Sequence, residues 1–178
     1  MTAAIGDTPD RLGLGFYRQD VLDVAPQLPG KILCRAVGDQ VRRGRITEVE
    51  AYRGEEDTAC HAHAGRTRRT ATLYEAGGVA YVYLCYGIHH LFNVVTGPAG
   101  HPQAALIRCL EGLDGPGRLT KALGITTADN GTMLWASPII WIEDDGYRPS
   151  QLATSPRIGI DYASDDDRLR PWRYTDHG

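Results

Sequence analysis

Glu48 and Glu50 in the stretch EVEAY, Arg108 in ALIRCLEGL and the tyrosines of AYVYLCYG are the side chains best equipped for chemistry. A carboxylate can take a proton from water, and a guanidinium can hold a carboxylate or a water in place. At strand spacing Ile46, Glu48, Glu50 and Tyr52 share one face, which is a poor lining for a core. Arg108 then shares a face with Leu106 and Leu110, and a charge among leucines requires a partner. A carboxylate on the Glu50 strand meets that need. Spacing alone leaves the pair open, either as a strut between two strands or as part of a site.

Asp57, His61 and His63 raise a different chemistry, that of a metal-dependent hydrolase. The C-x-x-C half of a deaminase or finger site is missing, and His89 and His90 are neighbours whose side chains point to opposite faces. No metal or other cofactor is expected. Cys60 beside His61 is a weak nucleophile–base pair, because adjacent residues rarely align for proton transfer. Tyr81 and Tyr83 read by default as sheet aromatics packed on the core. Tyr86 is placed differently, immediately before Gly87 at what reads as a hairpin tip.

The elements that must position these groups follow from period and punctuation. GFYRQDVLDVAPQLPG reads as a short amphipathic helix with a Leu-Pro-Gly stop, and Lys31 to Val37 as a strand. GRITEVEAY is a second strand. VAYVYLCY and IHHLFNVV form a hairpin around Tyr86-Gly87, and AALIRCLEGL is a further strand. GPGRLTKALGI is a helix entered through Gly-Pro-Gly, and ASPIIWIEDDGYRP ends a strand at an Asp-Asp-Gly turn. The long aperiodic segment RGEEDTACHAHAGRTRRTATLYEAGG reads as a functional loop. These elements predict one α+β domain over residues 1–178, built on a curved, mostly antiparallel sheet with a few flanking helices. The first ten residues are expected to fray.

Composition narrows the class. The chain has 178 residues, enough for one domain with a real core, and its 23% charged fraction is ordinary for a globular protein. No run approaches a membrane span, and MTAAIGDTPD lacks the parts of a signal peptide. Four cysteines sit far apart, which suits reduced thiols in a cytoplasmic protein. Net charge is −3, but of 19 basic residues only Lys31 and Lys121 are lysines, so the cationic surface is mostly arginine. Arg42 to Lys121 carries 10 basic and 8 acidic residues, net +2; Asp129 to Gly178 carries 5 and 9, net −4. An anionic partner therefore belongs to the middle of the chain.

Taken in order, EVEAY, GEEDTACHAHAGRT, AYVYLCYGIHHLFNVV, ALIRCLEGL, GPGRLTKALGI and PRIGI resemble the alkyladenine (3-methyladenine) DNA glycosylase family, from about Lys31 to Tyr174. The resemblance implies a compact mixed α/β domain and a monofunctional enzyme. Such an enzyme would excise alkylated or deaminated purines (3-methyladenine, 7-methylguanine or hypoxanthine type) from damaged double-stranded DNA in base excision repair. By position, Glu50 matches the general base, Arg108 the arginine that helps hold the nucleophilic water, and the Ile158 carbonyl a further ligand of that water. Tyr52 and Tyr83 match the walls of the base pocket, His61 the pocket histidine, and Asn93 the asparagine beside the base. Tyr86 matches the tyrosine that enters the DNA stack. RTRRTATLYEAGG departs from the family's Arg-Thr-Pro-Arg-Asn followed by Met-Phe. The resemblance further implies a bacterial-type, nucleoid-associated monomer without cofactor. A binder of damaged DNA without catalysis is the remaining alternative.

Overall fold

The protein is described by a computed structural model over residues 10–178. The expected fraying of the first ten residues falls, apart from Asp10, outside the described residues. Among the described residues ten strands follow in order: β1 (Asp10–Arg11), β2 (Ile32–Val37), β3 (Gln40–Arg53), β4 (Ala80–Cys85), β5 (His89–Val95), β6 (Gln103–Leu110), β7 (Leu113–Asp114), β8 (Ile140–Asp144), β9 (Leu152–Ser155) and β10 (Arg173–Asp176). Four short helices accompany them: α1 (Leu14–Tyr17), α2 (Val21–Val24), α3 (Pro116–Leu123) and α4 (Asp165–Leu169). The sheet runs β1-β8-β2-β3-β6-β5-β4, and β10 pairs with both β3 and β9. Every pairing is antiparallel, as the α+β reading requires. Among the described residues no helix is long and apolar enough to cross a membrane.

Strand alternation divides the sheet into a core face and a site face. Val49 and Ala51 of β3, Ala80 and Val82 of β4, Phe92 and Val94 of β5, and Ala105 and Ile107 of β6 all enter one buried apolar cluster. Tyr17, Val21 and Val24 from α1 and α2, and Leu119 and Leu123 from α3, cover it. The intervening residues, Tyr52, Tyr81, Tyr83, Asn93, Leu106 and Arg108, line a cavity on the opposite face. The helix α3 is entered at Gly115 with Pro116 in its first turn, a position where the missing N–H costs nothing. The Thr120 hydroxyl donates to the His90 carbonyl at 2.7 Å and ties α3 to β5.

One expectation fails where β3 and β6 meet. Ile46 and Leu110 do not share the face of Glu48 and Arg108; both lie in the core cluster with Val49 and Ile107. Ile46 pairs with Leu110, Glu48 with Cys109 and Val49 with Ile107, so each strand carries one extra residue within four positions. The two irregularities cancel in register and turn the pleat over in both strands together. Period-two counting through Thr47 and through Cys109 therefore assigns Ile46 and Leu110 to the wrong side. The amphipathic helix expected near the start is divided into α1 and α2, with the Asp20 carboxylate accepting from the Leu22 N–H at the entry of α2.

Candidate active site

Glu50 lies at the centre of the site. Its side chain is wholly buried, and three groups converge on it. The Tyr52 hydroxyl donates to Oε2 at 2.7 Å, and the Ile158 N–H donates to Oε1 at 2.7 Å. Arg108 stands 3.5 Å from Oε2, with its closer bond, 2.9 Å from Nε, given to Glu48. Glu48 also accepts from Arg173 at 3.1 Å and from the Thr175 hydroxyl at 3.2 Å. Arg108 thus bridges two carboxylates, of which Glu48 is the structural anchor. Glu50 does not itself line the cavity, whereas Tyr52, Arg108 and Ile158 do. It sits directly behind all three.

The cavity has a volume of about 490 Å³, within the usual size of a small-molecule pocket. The loop after β3 brings His61 into it at the start of a single 3-10 turn, His61–Ala64. The His61 ring meets Tyr83 edge-on at 4.5 Å between centroids, and its Nδ1 lies 3.1 Å from the Tyr81 hydroxyl. Burial, and after it the positive charge of Arg69, push His61 down to about 4, so the ring is neutral near pH 7. Burial pushes the Tyr81 phenol up to about 12 and holds the Tyr52 and Tyr83 phenols well above their usual range, so all three remain protonated. Asn93 lies opposite Tyr81 across the hairpin and donates from Nδ2 to the Tyr81 carbonyl at 3.1 Å.

Tyr86 stands at the mouth. It follows Cys85 at the end of β4, and the Ile88 N–H closes the turn onto the Cys85 carbonyl at 3.1 Å. Its φ is +51°, followed by +69° at Gly87, the left-handed pair that tight hairpin turns demand. No other non-glycine among the described residues has a positive φ. The ring is 92% exposed. A bare turn gives no reason for a tyrosine there, since Asn, Asp or Gly fits the backbone better.

Asp57, His61 and His63 do not converge. The Asp57 carboxylate is taken by Arg157 at 2.6 and 3.0 Å, His63 Nδ1 lies 2.7 Å from the Glu55 carbonyl, and His61 faces Tyr81. Among the described residues no three His, Cys, Asp or Glu side chains stand together as metal donors. Burial also pushes the Cys60 thiol up to about 12, which removes it as a nucleophile.

Several site residues escape sequence reasoning. Tyr81 is buried in a smaller apolar cluster with Cys60, Leu73 and Val95, as its core reading has it, and it also supplies a cavity wall and the His61 contact. Arg157 lies with Tyr52 at 4.8 Å and Trp172 at 5.1 Å from its guanidinium carbon, and it bonds the Ala51 carbonyl at 3.0 Å. Tyr162 lines the cavity rim and donates its hydroxyl to the Ala59 carbonyl at 2.8 Å. The one available signal was PRIGI itself, whose arginine precedes Ile158.

A strand-built pocket of tyrosines thus stands in front of a buried carboxylate–arginine pair. Comparison with known proteins gives the class: the model of the methylpurine-DNA glycosylase family matches residues 15–114 and 112–178. The chain belongs to the methylpurine-DNA glycosylase family. It is 45% identical over 193 residues to a protein of Psychrobacter cryohalolentis, covering 91% of each chain. It is 48% identical over 158 residues to one of Myxococcus xanthus, covering 83% of this chain and 81% of the other. A third, from Anaeromyxobacter dehalogenans, is 43% identical over 176 residues, covering 94% and 84%. Each of the three is named, provisionally, a 3-methyladenine DNA glycosylase.

Proposed function

We propose that the protein is a monofunctional DNA glycosylase that removes alkylated or deaminated purines from duplex DNA by base flipping and water attack on the N-glycosidic bond. The observation that carries this reading is the buried Glu50 carboxylate, held by Tyr52, Ile158 and Arg108 immediately behind an aromatic cavity. A base stacked in a duplex is out of reach, so it must leave the helix before its glycosidic bond can be attacked. In this reading Tyr86 enters the vacated stack, offsetting an unstacking cost on the order of a few kcal/mol. Tyr52 and Tyr83 flank the extruded purine, with His61 and Asn93 at its edges. Each stacking contact contributes roughly 1–3 kcal/mol.

Glu50 then takes a proton from a water held with the help of Arg108 and the Ile158 carbonyl. The water oxygen bonds to the anomeric carbon while the carbon–nitrogen bond breaks and the base departs. Neither Lys31 nor Lys121 lines the cavity, which supports a one-step hydrolysis rather than an amine-linked lyase reaction. Lys31 is instead paired with Asp144 at 2.9 Å. In this reading the enzyme works as a monomer on nucleoid DNA in the cytoplasm, and the bacterial origin of its relatives supports that setting. Incubation with a hypoxanthine-containing duplex tests the proposal. Abasic sites should form with the wild type and not with Glu50→Gln; a duplex left intact by the wild type refutes it.

A further inference from the structure

Arg108 stands where the ladder between β3 and β6 is interrupted. Glu48 pairs with Cys109 and Val49 with Ile107, so Arg108 is left without a register partner on β3. A residue left out of the ladder at a bulge is re-aimed, and its direction is set by what its side chain meets. Arg108 meets Glu48, whose Oε1 accepts from its Nε at 2.9 Å. The other oxygen, Oε2, accepts from Arg173 at 3.1 Å and from the Thr175 hydroxyl at 3.2 Å. Arg173 also donates from Nε to the Pro156 carbonyl at 2.9 Å, close in the chain to Ile158. Glu48 therefore ties together two groups that reach the cavity, Arg108 on β6 and the segment that carries Ile158, without lining the cavity itself.

Resting on the glycosylase reading, we infer that Glu48 is a positioning residue for excision. It aims Arg108 and, through Arg173, the segment carrying Pro156 and Ile158 at the water that Glu50 activates. Charge explains why a carboxylate is needed there. Glu48 and Glu50 balance Arg108 and Arg173, and all four side chains are largely withdrawn from solvent. Once Glu48 is neutral, Arg108 keeps one carboxylate within reach, Glu50 at 3.5 Å. The guanidinium then closes onto Glu50 and takes up lone pairs that would receive the proton of the water. Arg173 loses its ion pair at the same time, and its hold on Pro156 loosens. Such a contact acts on the reacting geometry, where a displacement of about 1 Å can cost about 10²-fold in rate.

The test is single-turnover release of hypoxanthine from a duplex, measured over a range of enzyme concentrations to give a plateau rate and a half-saturating concentration. Glu48→Gln should lower the plateau rate by about 10- to 100-fold and leave the half-saturating concentration within about 2-fold of wild type. Loss of fold alone does the reverse, because an unfolded fraction raises the half-saturating concentration and spares the plateau. In an Arg108→Ala background the same substitution should cost no more than about 3-fold, since its main route of action is gone. Arg173→Lys keeps a charge opposite Glu48 but gives up the bond to Pro156. It should lower the plateau by about 3- to 10-fold, and it decides the matter if Glu48→Gln does not fold. A wild-type plateau in either variant, or an equal cost of Glu48→Gln with and without Arg108, overturns the inference alone. A wild type that releases no hypoxanthine overturns the glycosylase reading and this inference with it.

Discussion

Arg157 and Asp57 meet in two hydrogen bonds, 2.6 and 3.0 Å long, with neither side chain exposed to water. The pair joins the loop after β3 to the segment carrying Ile158, and the same guanidinium backs Tyr52. Asp57 is further held by the Arg53 and Ala59 N–H groups, at 3.0 and 3.1 Å. Removing one partner strands a buried charge, at a cost of roughly 3–5 kcal/mol. Arg157→Met should therefore lower stability by about that amount in urea or guanidinium unfolding. A change below about 1 kcal/mol would show that the pair is not a structural joint.

Glu50→Gln keeps the side-chain shape and one acceptor oxygen but cannot take a proton. Binding to a hypoxanthine duplex should stay within a few-fold of wild type, while single-turnover excision falls by about 10²–10⁴-fold. Comparable excision rates in the two proteins would refute Glu50 as the base. Tyr52→Phe separates a second effect, since it leaves the wall in place and removes only the 2.7 Å bond to Glu50. It should reduce excision with little change in lesion binding.

Tyr83→Ala removes a cavity wall and also the face on which His61 rests. Lesion binding should weaken by about 1–3 kcal/mol, measured as the difference in affinity between hypoxanthine-containing and undamaged duplexes. Unchanged discrimination would mean that the flipped base does not stack there.

Tyr86 carries a left-handed backbone and an exposed ring, both unfavourable to the free protein. Tyr86→Gly should leave stability unchanged or raise it by up to about 1 kcal/mol, because glycine relieves the positive φ. The same substitution should impair excision from duplex DNA more than from single strands, where no stack has to be filled. Equal impairment on both substrates would sink the wedge role.

His61 gives the protein a pH signature. Its folded-state pKa of about 4 lies below the unfolded value of 6.5, so between these values the unfolded chain binds more protons. Its contribution to stability is complete above pH 6.5 and is lost as pH falls toward about 4. Denaturation midpoints for wild type should drop through that window, and those of His61→Phe should drop less. Parallel curves would show that His61 is not held neutral.

Much of this was legible from side-chain period. Alternation in AYVYLC and HHLFNVV follows the two faces of β4 and β5, and Gly87 marks the turn. The bulged crossing of β3 and β6 was not legible, because its extra residues cancel and leave no gap in the hydrophobic pattern. The strands β9 and β10 were missed for a different reason. Each has four residues, and Arg173, Thr175 and Asp176 in β10 give it no apolar alternation. Their pairing is tertiary: β10 pairs with β9, and with an edge that β3 offers far away in the sequence. Arg69 and Tyr162 become site residues through loop geometry that no local spacing encodes.

That edge has a consequence for how the protein is made. Along Glu48–Glu50, β3 is paired on one side with β6 and on the other with β10, where Arg173 lies opposite Glu50 and Thr175 opposite Glu48. Arg173 also neutralises Glu48, and the Ile158 N–H occupies one oxygen of Glu50. A nascent chain emerging from the ribosome can assemble the hairpin and its tyrosines early. The setting of Glu48 and Glu50 stays incomplete until Arg173 and Thr175 have emerged to pair with β3.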